Sequence, residues 1–275
     1  MEIKKVLILA KTYPSPSKKY IETSCVAGID DKGEMIRLFP VPFRRLDVAK
    51  RFKKWEWINI RTYKAKRDKR KESYSVYLSN DSPRLLKVID SKHWGERAEL
   101  LSKVPTYDSF EELEEARREK GITLAILKPK KINKLIIESE TDPEWSVEEL
   151  NKLQMNIYQF NLTFENETNI VSDLKKLPYK FYYEYSYIYK NEEKIKKSKI
   201  TDWEAGALYW NCAKYPDWEQ RFRNKFEKDM IQKNAFFLMG TIHRFPTKWL
   251  IISVIYPPVQ SAMQALEQEV QDSLF

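Results

Sequence analysis

Thirteen basic residues fall between positions 43 and 71, against only Asp47, Glu56 and Asp68. Arg44, Arg45, Lys50, Arg51, Lys53 and Lys54 come first; Arg61, Lys64, Lys66, Arg67, Lys69, Arg70 and Lys71 follow. Trp55, Trp57 and Tyr63 stand among them. Cations of this density neutralise phosphates and release condensed counterions, while interleaved rings stack on unpaired bases. The chemistry to expect is therefore nucleic-acid binding, with single-stranded or distorted substrate favoured. Arg37, flanked by Ile36 and Leu38, joins this set as a mid-strand cation facing away from an apolar row.

Residues able to do catalysis are sparser. His243 and Arg244 lie in Gly240-Thr241-Ile242-His243-Arg244-Phe245-Pro246, between two apolar stretches. A proline-stiffened loop over residues 13–23 carries Tyr13, Lys19 and Tyr20. If the chain is an enzyme acting on nucleic acid or nucleotides, its site belongs near His243 and this loop. Asp202 and Glu204 read better as a helix start, with Thr201 as cap and Glu204 at the third position. Neither a phosphate-binding glycine loop nor a Ser/His/Asp set is present, and Cys25 and Cys212 have no metal-ligand spacing. No metal and no cofactor are called for, and no catalytic residue can be named.

The charge is confined as well as large. Residues 1–75 hold 20 Lys/Arg and 9 Asp/Glu, whereas the other 200 hold 29 and 31. The whole excess of the +9 net charge thus sits in the first quarter, which predicts one polyanion-attracting face. With 42% hydrophobic residues and six glycines, the chain reads as globular. No stretch reaches membrane-spanning length, and a cytoplasmic location is expected.

Positioning elements follow from periodicity. Residues 3–10 form a buried strand, and residues 23–42 a hairpin turning at Gly33. Pro42 opens a short helix over FRRLDVAKRF. In WEWINIRTYKAK, Trp55, Trp57, Arg61 and Tyr63 alternate with Ile58 and Ile60, placing an aromatic-basic row on one strand face. Helices are expected at 90–103 and at 109–120, the second capped by Ser109. A strand is expected at 179–189 with a return strand after it, then helices from Thr201 and Pro216, then two apolar strands. SVEELNKLQMN and the tail 259–275, with Met263, Leu266, Val270 and Leu274 at helical spacing, read as helices, and the tail could meet a protein partner.

KTYPSPSKKYIETSCVAGID, GEMIRLFPVPFRRL and WEWI, with ITDWEAGALYW and FFLMGTIHRFPTKWLIISVIYPP near the other end, resemble a group of prokaryotic proteins with two OB-containing domains. That resemblance implies nucleic-acid binding, in a setting of nucleic-acid processing or defence against phage, and brings no catalytic residues; a protein partner in a multi-component system is a further expectation. The expected fold is α+β: two small OB-like barrels or sheets with intervening helices, divided as residues 1–125 and 126–275.

Overall fold

The computed structural model describes residues 1–16, 22–79, 81–142, 144, 146–148 and 176–258. The expected helix in SVEELNKLQMN, apart from its first residues, and the 259–275 tail lie outside these, as do Lys19 and Tyr20.

The first seven strands are β1 (Glu2–Lys11), β2 (Ser15–Pro16), β3 (Glu22–Asp30), β4 (Met35–Val41), β5 (Glu56–Lys64), β6 (Ser73–Tyr77) and β7 (Arg84–Val88). Five of them close a barrel in the order β1-β3-β4-β6-β5, with β5 pairing back onto β1. The β4–β6 contact is parallel and the other four are antiparallel. Closure removes the free edges that an open sheet of this size would expose. Strand alternation fills the interior with Val6, Ile8, Val26, Ile36, Leu38, Ile58 and Ile60, joined by Phe43 and Phe52. The β3–β4 turn uses Gly33 at φ 84, and Asp30 Oδ1 accepts the Lys32 and Glu34 amides there.

The helix expected after Pro42 is replaced by two single 3-10 turns, Phe43–Arg45 and Val48–Lys50. Leu46 is extended between them, which lets Phe43, Leu46 and Phe52 all reach the barrel interior.

The second sheet contains β8 (Thr106–Tyr107), β9 (Leu124–Leu127), β10 (Lys131–Ser139), β11 (Tyr179–Tyr189), β12 (Glu192–Ile200), β13 (Phe236–Ile242) and β14 (Phe245–Ile255). Its order is β10-β11-β12-β14-β13-β9-β8, and its end strands are not paired with each other among the described residues. One closed barrel and one separate sheet therefore stand where two similar units were expected. Because β8 and β9 belong to the second sheet, a division at 125/126 would cut β9 in two.

Helices α1 (Trp94–Leu101) and α2 (Phe110–Lys120) connect the sheets, and Ser109 accepts the Glu112 amide as the α2 cap. The chain then forms α3 (Trp203–Cys212), α4 (Trp218–Arg223), a π turn over Asn224–Lys228, and α5 (Asp229–Gln232). The cap of α3 is Asp202 rather than Thr201: Asp202 Oδ1 accepts the Glu204 amide, while the Thr201 amide is spent on Ile251 O. The inward row of β11, Phe181, Tyr183, Tyr185 and Tyr187, packs with Phe222, Phe226 and Phe237. The edge strand β10 is blocked at Leu135, whose amide and carbonyl bond Glu227 and Arg223 from the helical segment.

Barrel and sheet share a core. Leu7, Leu9, Ala27 and Ile29 point out of the barrel and meet Leu124, Ile126, Leu238, Ile252 and Ile255. Burial on both faces explains the unbroken apolar run in β1. No helix among the described residues is long and apolar enough to cross a membrane.

Candidate nucleic-acid interface

On β5 the period-two pattern sorts the side chains into two rows. Ile58, Ile60 and Thr62 are buried inward; Trp57, Asn59, Arg61 and Tyr63 face outward. Lys5 lies over the Trp57 ring at 5.1 Å, and Arg61 is held by Asp81 at 2.5 Å. Arg61 is in register with Tyr77, and Tyr63 and Tyr77 are 43% and 47% exposed. Lys64 sits 4.0 Å from the Tyr74 ring and donates to Lys71 O.

Trp55 does not join this row. It precedes β5 at φ 66, a left-handed backbone that turns its side chain out of the strand alternation. Its ring is buried beside Trp94 and lies 4.6 Å from the Arg97 guanidinium. It is a core residue of the barrel–sheet contact, and the expectation that it shares a face with Trp57 is corrected.

The cations before β5 are drawn into structure. Arg51 donates to Leu46 O at 2.9 Å and Arg44 O at 2.6 Å. Arg44 stacks over Tyr13 and Trp203, and Arg45 belongs to the first 3-10 turn. Lys54 donates to Val254 O at 2.8 Å and pairs with Glu204 at 3.1 Å. Lys53 is exposed, with neither an ion pair nor a carbonyl acceptor for its ammonium among the described residues. Arg37 is also corrected: only 3% exposed, it donates to Thr123 O and approaches Glu72 at 3.7 Å, joining the barrel to the second sheet.

The Tyr13 loop is a joint. The Tyr13 amide donates to Thr201 O, and its hydroxyl accepts from Trp210 Nε1 at 2.8 Å. Its ring lies against Gly206, where a Cβ would come within 2.0 Å of it. Trp203 closes the adjoining barrel end, edge-on to Phe43 at 5.2 Å. Lys11 is enclosed there by Phe43, Phe52 and Trp203, and burial lowers its ammonium to about 8. Burial pushes the Asp202 carboxyl up to about 6 against the pull of Lys54.

His243 meets a different segment. It lies 3.9 Å from Asp68 in the β5–β6 loop. Asp68 is already engaged by Arg70 and by Ser73 at 2.9 Å. Partial burial opposes ionisation, but these hydrogen bonds outweigh it and hold the carboxyl down at about 2. Arg70 also donates to Thr241 O at 2.9 Å. On the same loop Lys66, Arg67, Lys69 and Lys71 are exposed, with no ion pair to a described residue. Sequence reading kept these lysines and the His243 turn apart. The Arg70–Thr241 contact spans 171 positions, and no local pattern announces it.

These features define an α+β protein whose closed five-stranded barrel is packed by one flank onto a seven-stranded sheet, with an exposed basic loop beside exposed tyrosines. Residues 2–103 match a domain of unknown function, DUF8758, and residues 106–274 match a second domain of unknown function, DUF8757. The second match covers more than half of the chain, and the protein belongs to the DUF8757 family. No curated protein matches the chain.

Proposed function

We propose that the protein binds single-stranded nucleic acid through the β5–β6 loop and the adjoining outer face of β5 and β6. The observation that carries this is the set Lys66, Arg67, Lys69 and Lys71, exposed and unpaired among the described residues, next to exposed Tyr63 and Tyr77. Cations supply sequence-independent affinity, and the rings supply stacking.

The barrel order supports an OB-like reading. Numbered along the chain, its strands close as 1-2-3-5-4-1, a five-stranded Greek-key barrel. OB folds bind strands through the second and third strands and through the loops after strands one and four. Here the outward residues Ala27 and Ile29 of the second strand are buried against the other sheet. The first loop begins with Tyr13 bonded to α3. The loop between strands four and five, residues 65–72, is the element left to carry binding. A role in nucleic-acid processing or anti-phage defence fits this activity and rests on the resemblance in sequence.

The enzyme reading at His243 has less support. Tyr13 is bonded to Trp210, whereas His243 lies 3.9 Å from Asp68, which is committed to Arg70 and Ser73. The test is anisotropy with labelled single-stranded oligonucleotides across a salt series. Reversing the four loop cations to Glu should reduce the salt slope by about 3, at about 0.7 per contact. A variant that binds as tightly as wild type sinks the placement.

A further inference from the structure

Resting on that reading, we propose that the β13–β14 turn is the second wall of the same interface, so that the two matched regions hold one single strand between them. In the turn and the first residues of β14, His243, Arg244, Phe245, Pro246, Thr247 and Lys248 are all exposed. Phe245 is 54% exposed, an apolar ring held out at the tip, with Lys248 5.0 Å from it. Arg244 has no ion pair with a described residue. Exposed rings and unpaired cations are thus the content of this turn, as they are of the β5–β6 region.

The two segments are fixed together. Arg70 donates to the carbonyl and hydroxyl of Thr241, two residues before His243. The Thr241 amide donates to Thr123 O, and Thr123 O also accepts from Arg37. Glu72 accepts from the Thr123 hydroxyl. The β5–β6 loop, Thr123 just before β9 and the end of β13 are therefore tied together, and the turn extends from a braced base.

The seam also sorts the charges. The carboxylates of Asp68 and Glu72 are balanced internally by Arg70 and Arg37, and each accepts a hydroxyl hydrogen bond as well, from Ser73 and Thr123. What remains open outward is positive on both sides: Lys66, Arg67, Lys69 and Lys71 from the loop, Arg244 and Lys248 from the turn. A phosphate backbone fits such a rim, and Phe245, with Tyr63 and Tyr77, offers stacking that unpaired bases can use. A purely acidic protein partner would have no use for three exposed rings alternating with cations.

The experiment compares the full-length protein with R244E/K248E, F245A and a loop variant, K66E/R67E/K69E. The probe is a labelled homopyrimidine oligonucleotide, with the corresponding duplex and polyglutamate as competitors. R244E/K248E should weaken binding at least about tenfold at moderate salt and reduce the salt slope by about 1.4. F245A should weaken binding by about tenfold, within the usual range for one stacked base, and leave the salt slope unchanged. Hydrogen exchange on oligonucleotide addition should slow in residues 65–72 and 242–249 together, a readout that needs no variant.

Turn variants that bind like wild type while the loop variant fails would overturn this inference and leave the loop assignment standing. Failure of wild type itself to bind would remove both. Equal competition by duplex or polyglutamate would overturn the single-strand assignment.

Discussion

Lys54 offers the sharpest test of how the barrel is joined to the second sheet. Its ammonium pairs with Glu204, donates to Val254 O and faces the buried Asp202 carboxyl. Lys54→Met keeps the length of the stem and removes the charge. Breaking a buried ion pair from one side costs about 3–5 kcal/mol. The Glu204 side chain is 45% exposed, so water recovers part of that, and we expect about 3 kcal/mol at neutral pH. Typical domains hold only about 5–15 kcal/mol in total, so the loss is easily measured by denaturant unfolding followed through tryptophan fluorescence. The deficit should depend on pH with a definite sign. The Asp202 carboxyl is raised from 3.8 to about 6 in the fold, so its contribution is full below the unfolded value and is lost as pH rises through about 6. Without Lys54 it rises further. The K54M deficit should accordingly be largest above neutrality and shrink as Asp202 takes up its proton on acidification. Asp202→Asn keeps an acceptor for the Glu204 amide at the helix cap but gives up the one for the Val254 amide, so it should restore part of the lost stability in the K54M background by removing the uncompensated charge. A deficit that does not change with pH, together with no rescue by D202N, would refute the assigned charge balance.

Trp55→Ala should cost about 3–5 kcal/mol in unfolding experiments while leaving oligonucleotide affinity of the folded fraction unchanged, because the ring is in the core. Gly206→Ala should displace Tyr13 and cost about 1–3 kcal/mol by overpacking, and Tyr13→Phe should cost about 1 kcal/mol through the lost Trp210 hydrogen bond, both read from denaturant midpoints. Asp68, held down at about 2, contributes stability above its unfolded value that is lost as pH falls through about 2. Asp68→Asn should flatten that acid limb in a pH series of thermal midpoints.

Much of the local structure was legible in the chain. Strand alternation in WEWINIRTYK assigned the inward isoleucines and the outward Trp57, Arg61 and Tyr63, because a pleated strand alternates its faces whatever it packs against. Ser109 announced α2, and Gly33 announced its turn, since capping and left-handed backbone are settled by neighbouring residues. Trp55 escaped because its positive φ breaks the alternation one residue before the strand begins. Arg37, Arg51 and Lys54 escaped for another reason. A cation's type shows that it seeks acceptors, but not whether they belong to a ligand or to Thr123, Leu46 and Val254.

Sequence by itself thus determined where the positive charge lies along the chain and which strand faces are apolar. Tertiary structure decided which of those charges remain open. Backbone carbonyls consume Arg37, Arg51 and Lys54, and Arg44 lies over two rings, whereas Lys66, Arg67, Lys69 and Lys71 are exposed with no ion pair to a described residue, beside a turn over 170 positions away, brought there by Arg70 and Thr241. Contacts of that separation follow from how two sheets pack, and no local spacing encodes them.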